Sequence, residues 1–196
     1  MSSSAQDTHA WRPLFNGKDL DGWTHVGPGR FVVEDGALRT EGGMGLLWYT
    51  REQFGDATLR IVYRAQSEGG GNAGVFIRIP DKPTEPWMPV NKGYEVQIDD
   101  SADYFHRTGV LYSFTKAKVK PQAREWNTME ITLDGDRTVV TVNGEIVTDF
   151  REGDVVPDRK QSYEPERGPR PKSGYIGLQN HDDKDVVWFR EVSVRR

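Results

Sequence analysis

Three polar side chains, Glu95, Gln97 and Asp99, occupy alternate positions in one short stretch of the chain. The residues between them are apolar, which predicts a β-strand with one face in the core and one polar face. Carboxyl groups can transfer protons, and amide groups can hydrogen-bond a ligand. Because a strand in a packed sheet rarely carries such groups where none are needed, we expect this polar face to line a groove.

The segment 74–79 shows the same alternation. Phe76 and Arg78 share one parity, and the other parity is apolar throughout, with Val75, Ile77 and Ile79. We therefore expect Phe76 and Arg78 to face the groove beside Glu95. Arg78 would there either act on a ligand or pair with Glu95 across the two strands. Together the two strands would form one wall of the groove.

Turn signals define the elements that must position these strands. Asp35-Gly36 and Asn143-Gly144 each lie between alternating segments and predict tight hairpins. About eleven short strands and no amphipathic helix can be read from the chain, a pattern typical of an antiparallel two-sheet sandwich or jelly roll. We predict one such domain over residues 11–196, preceded by a disordered segment over residues 1–10.

Four further segments bear on the site. The stretch 108–113 predicts a strand that contains Tyr112, and 174–179 predicts a strand that ends at Gln179, two residues before His181. Tyr112 could instead be a core residue, and His181 could be a surface-turn residue before two aspartates. The charged, proline-rich segment 151–172 predicts a long exposed loop. The segment 80–92, with its several prolines, predicts an irregular excursion over the sheet.

Composition argues against several classes of function. The 196 residues carry a net charge of −4 with a pI near 5.6, so we expect no nucleic-acid partner. The absence of cysteine removes disulfides, cysteine-ligated zinc and thiol nucleophiles. The four histidines are too scattered for a zinc motif. No apolar run approaches the ~18 residues of a membrane helix, so we expect no membrane partner.

The compartment and the oligomeric state stay open at this stage. The first nine residues lack the charged-then-apolar order of a signal peptide. We expect a cytoplasmic protein if Met1 is the native start, and a periplasmic or exported protein if a signal peptide has been removed.

Six short motifs follow one another along the chain. They are Leu14-Phe-Asn-Gly-Lys-Asp-Leu-Asp-Gly-Trp23, Asn72-Ala-Gly-Val-Phe-Ile-Arg78, Tyr94-Glu-Val-Gln-Ile98, Thr108-Gly-Val-Leu-Tyr112, Glu125-Trp-Asn127 and Gly174-Tyr-Ile-Gly-Leu-Gln-Asn-His181. In this order they resemble the bacterial 3-keto-disaccharide hydrolase domain family over about residues 11–195. The resemblance implies a fold similar to concanavalin A and the laminarinases, with a carbohydrate site on the concave face of two curved antiparallel sheets.

The resemblance also implies a glycoside substrate already oxidised to a ketone at C3. The ketone acidifies the C2 proton, so a base can remove it, the C1 substituent can leave, and water can add back to complete a net hydrolysis. Such a reaction needs a general base, a partner for the oxyanion and an acid. On this resemblance we assign the role of general base to Glu95 or His181, and stabilisation of the substrate's enolate oxygen to Arg78. The expected substrate contacts are Asn72, Gln97, Asp99, Tyr112 and Gln179.

The metal content of the site is left open. No cofactor is required by this scheme, although a divalent metal could replace Arg78 as the electrophile. Carboxylates are available at Asp99, Asp100, Asp182 and Asp183, but their spacing matches no metal-ligand motif.

Two other functions fit the same residues. A retaining β-glycoside hydrolase similar to the laminarinases would carry two glutamates with an aspartate between them, and Glu95-x-Gln97-x-Asp99 departs from that order at two of three places. The Cα atoms of Glu95 and Asp99 would lie ~13 Å apart along a strand, whereas retaining chemistry places its carboxyl groups ~5–5.5 Å apart. The other alternative is a non-catalytic carbohydrate-binding module, with Trp48, Trp87 and Trp188 as sugar platforms.

Overall fold

The computed structural model describes residues 10–66 and 71–196, so the predicted disordered segment 1–10 lies, except for residue 10, outside the described residues. Within these ranges the only helix is one turn long, and no helix is long and apolar enough to cross a membrane. In chain order the elements are β1 (Arg12–Pro13), β2 (Trp23–Val26), β3 (Arg30–Glu34), β4 (Ala37–Glu41), β5 (Gly45–Tyr49), β6 (Ala57–Ala65), β7 (Ala73–Ile79), α1 (Met88–Lys92), β8 (Tyr94–Ile98), β9 (Asn127–Asp134), β10 (Arg137–Val142), β11 (Glu145–Arg151), β12 (Tyr175–Asn180) and β13 (Val187–Arg195).

The strands form two antiparallel sheets, which confirms the predicted all-β sandwich of jelly-roll type. The larger sheet has the order β11-β10-β9-β6-β13-β4-β3, and β1 pairs with β13. The smaller sheet has the order β2-β5-β12-β7-β8. Apolar side chains from both sheets make one continuous buried cluster. Removing this cluster from water is the main stabilising contribution in a two-layer fold of this kind.

The two predicted hairpin dipeptides act as expected. Asp35 and Gly36 have φ values of +49° and +78°, and Asn143 and Gly144 have φ values of +51° and +86°. Two consecutive residues at positive φ make the turn whose twist matches that of the flanking strands. These dipeptides therefore join β3 to β4 and β10 to β11.

Strand β8 keeps the predicted parity. Tyr94, Val96 and Ile98 belong to the core cluster between the sheets. Glu95 and Gln97 consequently point to the opposite face of the smaller sheet, which is directed away from the larger sheet. Because β8 is the edge strand of its sheet, the loops that follow it can fold over this outer face.

A backbone irregularity at Arg78 changes the position of its side chain. Arg78 has φ +56°, in the left-handed region, and the pairing of β7 with β12 shifts register beside it. The alternation is reversed beyond this point, so Ile79 joins Phe76 in a small apolar cluster on the outer face. The Arg78 side chain is buried and donates to the carbonyl oxygens of Arg137, Pro171 and Lys172 and to Thr138 Oγ1. The prediction that Arg78 faces the groove beside Glu95 is therefore wrong.

The predicted strand at 108–113 is not a strand. Gly109 has φ +88° and Ser113 has φ +64°, and these left-handed residues turn the chain where an extended segment was expected. The segment still covers the edge of β8, because Tyr112 N donates to Glu95 O at 2.9 Å and Gln97 N donates to the carbonyl oxygen of Val110 at 3.0 Å. Tyr112 is held beside Glu95 by these backbone bonds.

The segment 151–172 has no helix or strand after Arg151, and most of its side chains are exposed, as its composition predicts, but a few are buried. Glu164 and Arg170 are only 5% and 8% exposed. Arg170 donates to the carbonyl oxygens of Gly93, Gly168 and Glu166. Arginine side chains in this segment bind main-chain carbonyls of the protein where water was expected to be their partner. The segment is therefore folded against the smaller sheet, with Gly93 as one of its anchor points.

Candidate functional site

The outer face of the smaller sheet carries a cavity of about 450 Å³, which we call the groove. Its floor is formed by buried polar side chains of the sheet, and its rim is formed by side chains from the surrounding loops and α1. The floor residues are Glu95, Gln97 and Gln179. The other lining residues are Met44, Asn72, Trp87, Val90, Asn91, Tyr112, Ser162, Tyr163 and His181.

The Glu95 side chain fits the floor because Gly74 lies beneath it. Strand β7 runs between β8 and β12, and Gly74 is paired with Gln97 on one side and with Gln179 on the other. A Cβ atom at Gly74 would lie 2.6 Å from Glu95 Oε1, so only glycine leaves room for the carboxyl group in this position. The carboxyl group thereby points across β7 towards Gln179 on the next strand.

Burial sets the protonation state of Glu95. Loss of hydration raises the pKa of its carboxyl group to about 8, and the neighbouring side-chain amide of Gln179 opposes this rise. Glu95 is therefore mainly protonated at neutral pH and can give or take a proton near pH 8. Burial and the nearby Glu95 raise the pKa of Tyr112 to about 12, so its hydroxyl group stays a neutral hydrogen-bond donor.

The two glutamines of the floor have unused hydrogen-bonding capacity. Gln97 Nε2 lies 3.5 Å from Asn72 Oδ1, at the limit of a hydrogen bond. Gln97 Oε1 and Gln179 Oε1 are buried and have no hydrogen-bond partner among the described residues. A buried amide oxygen without a partner is costly, so it marks a place for a hydroxyl group of a ligand or for water.

His181 enters the groove from the loop after β12, and Asp185 fixes its ring. His181 Nδ1 lies 2.8 Å from Asp185 Oδ2. The other carboxylate oxygen, Asp185 Oδ1, accepts hydrogen bonds from the backbone N–H groups of Gly71 and Asn72 at 2.9 and 3.0 Å. An ionised Asp185 favours a proton on Nδ1, which leaves a free lone pair on Nε2. An imidazole held in this way can act as a general base.

The residues His181, Asp182 and Asp185 each offer a ligand atom within 4.8 Å of the others, as a metal site would. These atoms already have protein partners, because Asp182 Oδ1 accepts from the backbone N–H groups of Lys184 and Asp185 and both oxygens of Asp185 are bonded. The hydrogen bonds of Asp182 close a turn over residues 182–185, and Asp185 forms a pair with His181. We therefore assign no step to a metal at this cluster.

The sequence from residue 10 to residue 195 matches the family described as the 3-keto-alpha-glucoside-1,2-lyase-like domain. The chain belongs to this family. No curated protein matches the sequence.

One solved structure of similar fold supports a carbohydrate-related function for this chain. A candidate glycosyl hydrolase from Parabacteroides distasonis is 25% identical with a TM-score of 0.74, over 95% of this chain and 98% of the other. Two more distant structures show the shared fold alone. The carbohydrate-binding module CBM66 from Bacillus subtilis is 16% identical with a TM-score of 0.63, over 89% and 96% of the two chains. A β-glucanase from Bacillus licheniformis is 10% identical with a TM-score of 0.55, over 98% and 100%.

The fold brings most of the predicted site residues together. Six of them line the groove, namely Asn72, Glu95, Gln97, Tyr112, Gln179 and His181. Their roles stay predictions. Arg78 is absent from the lining because its side chain is turned into the sandwich.

The predicted position of Asp99 in the groove is also wrong. Strand β8 ends at Ile98, and the chain turns directly after it. Asp99 Oδ1 accepts hydrogen bonds from the N–H and the hydroxyl group of Ser101. The residue lines a second cavity of about 790 Å³ beside the groove, together with Asp100 and Asp185. The alternation of side chains that places Glu95 and Gln97 on the outer face ends with β8 at Ile98, so it does not apply to Asp99.

Several residues that line or support the groove were not predicted from the sequence. Asp185 follows His181 in an irregular turn, where no periodic pattern marks it. Tyr163 and Ser162 belong to the segment that was predicted to be an exposed loop. The one signal that could have indicated this segment is its run of arginines among prolines, which needs hydrogen-bond acceptors from a folded backbone.

Proposed function

We propose that this domain binds a 3-keto-glycoside in the groove and cleaves its C1–O bond by elimination across C1 and C2. The observation that carries the proposal is the presence of an acid and a base in one cavity. Glu95 is buried there as a neutral carboxylic acid, and His181 is held there by Asp185. A carboxylic acid that holds a proton and an imidazole with a free lone pair, placed in one cavity, can serve as the acid and the base of a proton-transfer reaction.

The proposed step transfers two protons, one from C2 to the base and one from the acid to the leaving oxygen, and breaks one carbon–oxygen bond. The base removes the proton on C2, which the neighbouring C3 ketone has made acidic, and the electron pair forms the enolate. The C1=C2 double bond then forms as the C1–O bond breaks. The leaving oxygen takes a proton and departs as an alcohol, so the reaction needs no oxidant or reductant. Addition of water across the C1=C2 bond would complete a net hydrolysis.

The described side chains suit separate parts of this step. We assign the base to His181, because its Nε2 atom keeps a lone pair, and the acid to Glu95, because it holds a proton at neutral pH. Tyr112 is a neutral donor for the enolate oxygen. The unpartnered amide oxygens of Gln97 and Gln179 would accept hydrogen bonds from sugar hydroxyl groups. Arg78, the electrophile in the sequence-based hypothesis, has no part in this assignment.

A retaining glycoside hydrolase is a weaker fit. Such an enzyme needs two carboxyl groups ~5–5.5 Å apart on either side of the scissile bond. Among the described residues that line the groove, Glu95 is the one carboxylic acid, and Asp99 faces the second cavity. A non-catalytic binding module would use the same aromatic and amide groups, but it would have no use for a buried acid paired with an oriented histidine.

The distinguishing experiment is to incubate the protein with a 3-keto-β-glucoside and a 3-keto-α-glucoside, and separately with an unoxidised β-glucan. Release of the aglycone from a keto-glucoside alone supports the proposal. Release of sugar from the unoxidised glucan would support the retaining hydrolase. Binding of these ligands without turnover would support the module.

A further inference from the structure

Three large apolar side chains at the rim of the groove are exposed although the fold does not need them there. Met44, Trp87 and Tyr163 are 41%, 52% and 70% exposed. They are half of the six large apolar residues that are exposed in the described part of the chain, and all three line the same cavity. A cluster of exposed apolar groups rimming a polar cavity is the usual mark of a binding surface.

The backbone holds Trp87 and Tyr163 in fixed positions. Trp87 lies between Pro86 and Pro89, which are both buried, and its carbonyl oxygen accepts from Val90 N at 3.1 Å. A Cβ atom at Gly27 would lie 2.8 Å from Pro86 Cγ, so this proline packs directly against the loop after β2.

Tyr163 is placed in a similar way at the tip of a tight turn. The carboxylate of Glu164 closes the turn, because Glu164 Oε2 accepts from Lys160 N at 2.6 Å. Glu166 N donates to Asn91 Oδ1 at 3.0 Å, which ties this segment to α1, the helix that begins next to Trp87. The two aromatic residues are therefore carried by two connected segments of the rim.

The rim lies where a leaving group would lie. The floor groups Glu95, Gln97 and Gln179 are 6%, 3% and 8% exposed, so the sugar ring that undergoes chemistry must sit at the bottom of the groove. The C1 substituent of that ring varies in size among glycosides. It can extend only towards the open mouth of the groove, and it must depart through this mouth after cleavage.

We propose, on the basis of the proposed function, that Trp87 and Tyr163 form the binding site for the leaving group and select leaving groups with a flat apolar face. Met44 completes this site as an adaptable side chain. Either an aromatic alcohol or the C–H face of a second pyranose presents such a surface, and both would stack on an indole or phenol ring. A methyl group would be too small to cover the two rings.

The test compares Trp87→Ala and Tyr163→Ala with wild type on three substrates: the 3-keto derivatives of methyl glucoside, phenyl glucoside and a glucose disaccharide. We expect kcat/KM for the phenyl or disaccharide substrate to fall by about 3- to 10-fold relative to the methyl substrate, mainly through KM, as loss of an aromatic contact implies. Trp87→Phe should restore most of the loss. The substrate that responds identifies the leaving group as an aryl alcohol, a sugar or both.

Tyr104→Ala is the matched control, since Tyr104 is 51% exposed but is absent from the lining of the groove. An equal loss for all three substrates, or no loss for any of them, would overturn the inference. If the wild type turns over no keto substrate, the proposed function fails, and the inference is then decided by calorimetry with unoxidised phenyl glucoside and disaccharide. Weaker binding in the two variants than in Tyr104→Ala would support it, and equal binding would refute it.

Discussion

The carboxyl group of Glu95 lies directly over Gly74, so closely that a Cβ atom there would approach Glu95 Oε1 to 2.6 Å and Cγ to 2.7 Å. The two residues belong to neighbouring strands of the smaller sheet. Because Gly74 of β7 has no side chain, the space above it is free for the carboxyl group of Glu95 from β8. This contact explains why a buried carboxyl group can lie flat across the sheet and point towards Gln179.

We expect Gly74→Ala to lower kcat/KM on a 3-keto-glucoside on the order of 100-fold, because a displacement of about 1 Å in a catalytic group can have this effect. Gly177→Ala is the matched control, since its Cβ would meet Leu46 Cδ1 on the same sheet and would not touch Glu95. Steady-state kinetics and thermal denaturation of both variants check the prediction. Equal activity in Gly74→Ala and wild type would show that the position of Glu95 is not critical.

Replacing Glu95 by Gln should change how stability depends on pH. The pKa of Glu95 is about 8 in the folded protein and near 4.5 in an unfolded chain. The unfolded state therefore releases this proton first, and wild type loses stability between about pH 4.5 and pH 8, on the order of a few kcal/mol in all. Glu95→Gln removes this loss, so its melting temperature should exceed that of wild type by several degrees at pH 8.5.

The melting temperatures of the two proteins should converge as the pH falls towards 4.5, where Glu95 is protonated in both the folded and the unfolded state. Differential scanning fluorimetry across this range is sufficient. A constant difference at every pH would mean that Glu95 is not the group that titrates. The same substitution should lower turnover of a 3-keto-glucoside by about 100- to 10,000-fold, because an amide cannot supply the acid proton.

Asp185→Asn should separate the orientation of His181 from the structure of its loop. The amide oxygen of Asn can still accept from the N–H groups of Gly71 and Asn72. Its NH₂ group would face His181 Nδ1 as a donor, which moves the ring proton to Nε2 and removes the lone pair that the base needs. We expect kcat to fall by about 100-fold or more with little change in melting temperature.

Asp182→Asn is the control for this experiment, because Asp182 Oδ2 lies 3.6 Å from His181 Nδ1 and Asp182 accepts mainly backbone hydrogen bonds. It should retain most of the activity. Equal losses in the two variants would contradict the assignment of Asp185 as the residue that orients His181.

Arg78→Lys should be a stability variant. Lysine has three donors at one atom and cannot reach the carbonyl oxygens of Arg137 and Lys172 together. We expect a loss of about 2–4 kcal/mol in the free energy of unfolding, measured by urea denaturation, from buried hydrogen bonds of a charged group. The remaining folded protein should keep its kcat within a factor of about 2. A well-folded variant with greatly reduced kcat would restore Arg78 to the mechanism.

The sequence predicts those parts of the fold that depend on local rules. The alternation at Tyr94–Ile98 places Glu95 and Gln97 on the open face, and Asp35-Gly36 fixes a hairpin, because side-chain parity and positive φ are encoded by a few adjacent residues. The resemblance to a known family adds Gln179 and His181. The positions of these residues follow from the residues next to them in the chain.

The parts that were missed depend on contacts between distant segments. One residue at positive φ reverses the parity of β7, so Arg78 points into the sandwich although the pattern places it outside. Asp185 becomes important only because the fold brings it to His181 and to the N–H group of Gly71. Tyr163 reaches the groove because arginines of its segment, among them the buried Arg170, hydrogen-bond main-chain carbonyl oxygens. The composition of the segment does not say which carbonyl oxygens these are.

The proposed elimination depends on removal of the C2 proton, and the most direct test is the rate of aglycone release from a 3-keto-glucoside that carries either hydrogen or deuterium at C2. We expect release from both, slower with deuterium by a primary isotope effect, with formation of an unsaturated keto-sugar or its hydrate detected by NMR. Release at the same rate from both compounds, or hydrolysis of an unoxidised glucoside at a comparable rate, would contradict it.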